Sequence, residues 1–130
     1  MEVSQDLRAL AYGELEALSE LSGGSLDLIE DSRDLVVEYR GDLESLRRRI
    51  CRAALIKRAW ISNGAGEKLF AELDRSRYRV LRRGGRWGGD TVVIDLRIAR
   101  LLVNLARTEE GGGVFLDPFV GSGIIAQELC

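Results

Sequence analysis

No histidine occurs among the 130 residues. That absence removes Ser-His and Cys-His dyads and most zinc sites. Proline is reduced to one residue, Pro118, so no Pro-Pro catalytic loop exists anywhere in the chain. The two cysteines, Cys51 and Cys130, make neither a disulfide framework nor a metal-binding spacing, which fits a reducing cytoplasm and sets the expected location. No apolar run approaches the roughly 20 residues of a membrane span. Glu2 and Asp6 stand where a secretory signal would carry a basic and then an apolar region. Lysine is scarce too: 17 of the 19 basic residues are arginine.

What is present is enough for a core. Hydrophobic residues make up 45%, which excludes a disordered chain, and the length suits one ordinary domain or two small ones. The net charge of −2 conceals an asymmetry. Residues 1–46 have a balance of −9, residues 47–107 of +11, and residues 108–130 of −4. A basic middle section of this kind suits a polyanionic partner.

Hydrophobic spacing gives the elements. Leu7, Leu10, Ala11, Leu15, Leu18 and Leu21 form one helical stripe, ended by Ser22-Gly23-Gly24. "SLDLIE" and "DLVVEYR" read as two strands of a hairpin about Asp31-Ser32-Arg33. Asp42 caps a second helix, with Arg47, Arg48, Arg49 and Arg52 on a solvated face. "KRAWIS" is a strand closed by Asn63-Gly64, and residues 66–73 are expected to form a short helix. With a first strand squeezed into Met1–Val3, the order is that of a ferredoxin-like domain.

The stretch "RSRYRVLRRGGRWGG" carries Arg75, Arg77, Arg79, Arg82, Arg83 and Arg86, with Tyr78, Trp87 and four glycines. It reads as a strand running into a linker. Its arginines are candidates for RNA-backbone contact, with the aromatics able to stack on bases. The plainer reading is a solvated linker. Asp95 then caps a helix over 96–107, where Arg97, Arg100, Asn104 and Arg107 share one stripe that is expected to face solvent. Three units follow: a ferredoxin-like domain at 1–63, an Arg/Gly-rich linker at 64–90, and a Rossmann-like start at 91–130. The fold class is therefore α+β.

The tail, "VFLDPFVGSGIIAQELC", is a strand turning through glycines into a helix. Such a turn gathers backbone N–H groups and the positive end of a helix dipole around one point. Gly121 and Gly123 admit a ligand close to the backbone. Asp117, at the strand's carboxyl end, suits a cationic ligand group and would repel a bare pyrophosphate. A Walker A loop is excluded, since no lysine follows Lys68.

"LDPFVGSGIIAQE" resembles the S-adenosylmethionine-binding motif of amino-methyltransferases. Without an upstream Pro-Pro-Tyr loop, the motif order is not that of the DNA enzymes, and a DNA amino-methyltransferase fragment is a lesser alternative. "DLRIARLLVNLA" at 95–106 is similar to the segment that precedes this motif in tRNA guanine-N2 methyltransferases of the THUMP-containing group. Residues 12–40 and 52–61 are similar to the N-terminal ferredoxin-like domain of the archaeal enzymes that modify guanine ten of tRNA. The roughly 30 residues between these segments are too few for a THUMP domain.

The resemblance implies a Rossmann-like methyltransferase fold, S-adenosyl-L-methionine as cofactor and tRNA as partner. It implies that Asp117, Pro118, Gly121, Ser122 and Gly123 hold the cofactor. In the family, further strands follow the motif with a ribose-binding acid and the catalytic loop. The chain is thus expected to be an N-terminal fragment, or half of a split enzyme completed by a second chain, and no residue in it is nominated as catalytic. A non-catalytic RNA-binding adaptor is the alternative.

Overall fold

A computed structural model describes residues 1–62, 64–73, 94–108, 113–118, 120, 121 and 123–129. It is an α+β structure of small antiparallel sheets and a few helices. In chain order the elements are β1 (Glu2–Val3), α1 (Arg8–Leu21), β2 (Ser25–Asp31), β3 (Leu35–Arg40), α2 (Leu43–Ile50), β4 (Ile56–Ser62), β5 (Glu67–Glu72), α3 (Leu96–Leu105) and α4 (Ile124–Leu129).

Period-two burial explains the strands. In β3, Leu35, Val37 and Tyr39 turn toward the core while Val36, Glu38 and Arg40 face out. Its hairpin partner β2 sets Leu26 opposite Tyr39 and Leu28 opposite Val37, with an irregularity between Leu28 and Glu30. Gly24 and Gly41 flank the Tyr39 ring, and a Cβ at either would collide with it.

A second sheet runs β1-β4-β5, antiparallel throughout. The two sheets meet at one residue pair: the Met1 ammonium donates to the Leu35 carbonyl (2.6 Å) and the Leu35 N–H donates to the Met1 carbonyl (3.0 Å). This reciprocal exchange is the hydrogen-bonded pair of an antiparallel ladder.

α1 and α2 supply Leu15, Leu18, Leu46 and Ile50 to one core with Val3, Leu35, Ile56, Ala59 and Ala71. Asp42 does cap α2, accepting from the Glu44 N–H at 3.0 Å, and Asp95 caps α3, accepting from the Arg97 N–H at 2.8 Å. Leu101 of α3 joins the same core.

Two expectations are corrected. Residues 67–72 are a strand: Ala59 pairs with Ala71 and Ser62 with Glu67. The turn before it uses Gly64 and Gly66 at φ values of 50° and 131°. The open edge of β4 outweighs the helix propensity of Glu67, Lys68, Leu69 and Ala71. Residues 114–117 do not form the expected strand, because no described strand lies alongside to take its backbone hydrogen bonds. Val114 and Leu116 are instead exposed.

Candidate functional site: the 117–123 loop and its anchorage

Backbone conformation sets the loop's shape. Gly121 and Gly123 have φ values of 49° and 74°, in the region that side chains disfavour. The Gly123 N–H donates to the Val120 carbonyl at 2.7 Å, and the Gly123 carbonyl accepts from the Gln127 N–H at 2.9 Å, which starts α4. Asp117 is half-buried, while Pro118 and Gly121 are exposed. Space around a Cβ at Gly123 is open to 4 Å. Asp117, Pro118, Gly121 and Gly123 therefore share one loop, with one Asp117 carboxyl oxygen buried and the space beside Gly123 open. Ser122 lies outside the described residues.

One buried contact ties this loop to the rest of the chain. Arg100 Nε donates to Glu128 Oε2 at 2.6 Å, with the two side chains 4% and 3% exposed. Desolvating both charges is costly, and the pair is tolerable through close charge-assisted geometry. Arg100 comes from α3 and Glu128 from α4.

The α3 polar stripe departs from its expected solvent exposure at three of its four residues. Arg97 binds Asp6 and donates to Ser4 Oγ at 3.0 Å, Arg100 binds Glu128, and Asn104 Nδ2 donates to Glu14 Oε1 at 2.7 Å. Arg107, with a φ of 54°, binds Glu20. Three of these contacts reach α1 or the residues just before it. Arg100 is buried and Arg97 and Asn104 are half-buried, while Arg107 stays exposed as expected. α3 packs over Gly13 of α1, where a Cβ would lie in ordinary contact, 3.6 Å from Leu105 Cδ2.

Glu14 was not legible as a buried anchor between α1, α3 and the chain before β4. It is fully buried and accepts from the Ala54 N–H (2.6 Å), the Leu55 N–H (2.8 Å) and Asn104. Burial pushes its carboxyl above the usual range, against the pull of these hydrogen bonds and of Arg100. The available signal was position: Glu14 sits between Ala11 and Leu18 on the buried helical face. Of the expected solvated face on α2, Arg47 and Arg48 are exposed, with Arg47 paired to Glu44, whereas Arg49 and Arg52 are half-buried.

Arg75, Arg77, Arg79, Arg82, Arg83 and Arg86, with Tyr78 and Trp87, lie outside the described residues. Among the described residues no group of three or more His, Cys, Asp or Glu side chains is placed to hold a metal ion, and no helix is long and apolar enough to cross a membrane. The chain matches no protein-family model, no curated protein and no solved structure.

Proposed function

We propose that this chain carries the cofactor-gripping part of an S-adenosylmethionine-dependent tRNA guanine-N2 methyltransferase. The observation that carries the reading is the buried Arg100–Glu128 pair. It joins the two segments whose sequences resemble the family, "DLRIARLLVNLA" and "LDPFVGSGIIAQE". Positive φ at Gly121 and Gly123 supports the same reading. S-adenosylmethionine, when bound, supplies a methyl group on a sulfonium. Asp117 would hold its cationic methionine end, and the backbone at Gly121 and Gly123 would approach it closely. Ser122 and Pro118 complete the proposed cradle.

The proposed N-terminal unit is ferredoxin-like. The Met1–Leu35 exchange supports this, since it sets an end of the sheet β1-β4-β5 beside the hairpin β2-β3. The proposed methyltransferase unit needs further strands beside the exposed residues 114–116, from a second chain or from more of this one. tRNA contact is assigned to Arg75, Arg77, Arg79, Arg82, Arg83 and Arg86, and the reaction's place is the cytoplasm. No catalytic residue is assigned.

The adaptor reading has its own support in the basic balance of residues 47–107. Calorimetry separates the two. Heat on titrating S-adenosylmethionine into the chain, lost in Asp117→Ala, supports the cofactor half-site. tRNA binding without any response to S-adenosylmethionine supports the adaptor.

A further inference from the structure

Arg49 lies in the last turn of α2, and Arg52 follows just past its end. Leu46 and Ile50 turn the apolar face of α2 into the core, and Arg49 falls at the border of that face, half-buried. Its Nε is fully buried and meets no hydrogen-bond partner. Arginine does not shed its charge to escape such a site. A buried charged donor without an acceptor is costly, so the space beside Arg49 is the place to look for one.

That space is a small cavity where the C-terminal ends of the four described helices meet. Its volume is about 40 Å³, several times the roughly 10–15 Å³ that one water needs. Leu18 and Val103 wall it with apolar surface, while Arg49, Arg52, Arg100 and Glu128 supply charge. Three guanidinium groups thus stand against one carboxylate among the described lining residues, and that carboxylate is engaged by Arg100. Helix ends ordinarily offer carbonyls to a nearby arginine. Here they are engaged already. The Leu18 carbonyl accepts from Ser22 Oγ (2.7 Å), that of Val103 from Thr108 Oγ1 (3.2 Å), that of Arg47 from the Cys51 N–H (3.2 Å) and that of Asn104 from the Arg107 N–H (3.0 Å). The Asn104 side chain is committed to Glu14.

Size and charge narrow the ligand. The cavity is too small for a base or a sugar and admits one compact group. Its basic lining calls for an anion, and a guanidinium fork matches the oxygens of a tetrahedral oxyanion. The apolar wall keeps the local dielectric low, which strengthens the attraction. We propose that this cavity binds a single phosphate group, with Arg49 Nε as a donor and with Arg52 and Arg100 supplying positive potential around it. Free phosphate and the backbone of an RNA share this chemistry. The site is separate from the 117–123 loop and does not depend on what that loop holds.

Proton–nitrogen magnetic resonance of the full chain reads arginine Nε–H groups directly. Inorganic phosphate shifts the Arg49 Nε–H signal to saturation, and chloride at equal ionic strength does not. Arg49→Lys keeps the charge and loses Nε, and it weakens phosphate binding roughly fivefold by calorimetry. Arg48→Gln, on the exposed face, changes binding by less than about twofold. An oligouridine without terminal phosphates distinguishes the sources: the same shift, competed by phosphate, identifies an RNA backbone, and a response to phosphate alone identifies the free anion. Either result supports the site. No shift at Arg49, an equal shift with chloride, or Arg48→Gln as damaging as Arg49→Lys overturns it. So does an Arg49 Nε–H already bonded to an acceptor of the chain before phosphate is added. If Arg49→Lys fails to fold, the titration of the unmodified chain against chloride still decides.

Discussion

Glu14 holds three donors drawn from two distant stretches of chain, Ala54-Leu55 and Asn104. Both carboxyl oxygens act as acceptors, which an amide cannot reproduce. Glu14→Gln sets an NH2 against a backbone N–H in a dry site, and a buried donor left unmatched costs about 1–3 kcal/mol. Urea denaturation should show a loss of that size, and an unchanged midpoint would contradict the assignment. Asp6 behaves oppositely to Glu14 in acid. Its hydrogen bond from Arg97 lowers its carboxyl from 3.8 to about 2. In that window the unfolded chain binds the proton more readily, so stability falls as pH drops from 3.8 toward 2. Asp6→Asn should flatten this part of the stability–pH curve; an unaltered curve would show that the pair does not form. Glu14 has the reverse linkage: with its carboxyl raised, its contribution to stability declines as pH rises above 4.5.

At the level of elements, α3 lies against α1 across Gly13 and Leu105. The contact a Cβ would make at Gly13 is an ordinary one, so Gly13→Ala should stabilise the chain, by up to about 1 kcal/mol of helix propensity. Thermal unfolding checks it, and a lowered midpoint would mean that α3 sits closer to α1. The hairpin, α2 with its Asp42 cap and α3 with its Asp95 cap were legible because each depends on local alternation, periodicity or capping. β5 was not legible, since Glu67–Glu72 has no strand character until β4 provides an edge. The burial within the α3 stripe was missed for a related reason: Arg97, Arg100 and Asn104 find their partners 28 to 91 residues away in sequence. Glu14 is the same lesson on α1, a carboxylate whose donors only tertiary structure brings together.

For the whole molecule, the charge asymmetry has two components. Part of the positive balance of residues 47–107 is answered internally, by Asp6, Glu20 and Glu128. Under the tRNA or adaptor proposal, contact with the polyanion would fall to arginines outside α3. The acidic N-terminal section serves in turn as the seat of α3, and α3 holds α4 through Arg100. This chain of contacts holds α4 against α3, and the functional reading depends on what the loop before α4 grips. Ultraviolet cross-linking of methyl-tritiated S-adenosylmethionine to the intact chain, followed by mapping of the labelled peptide, tests this most directly. The account predicts label within residues 114–129, competed by S-adenosylhomocysteine and lost in Asp117→Ala. Label elsewhere, or label that survives Asp117→Ala, would contradict it.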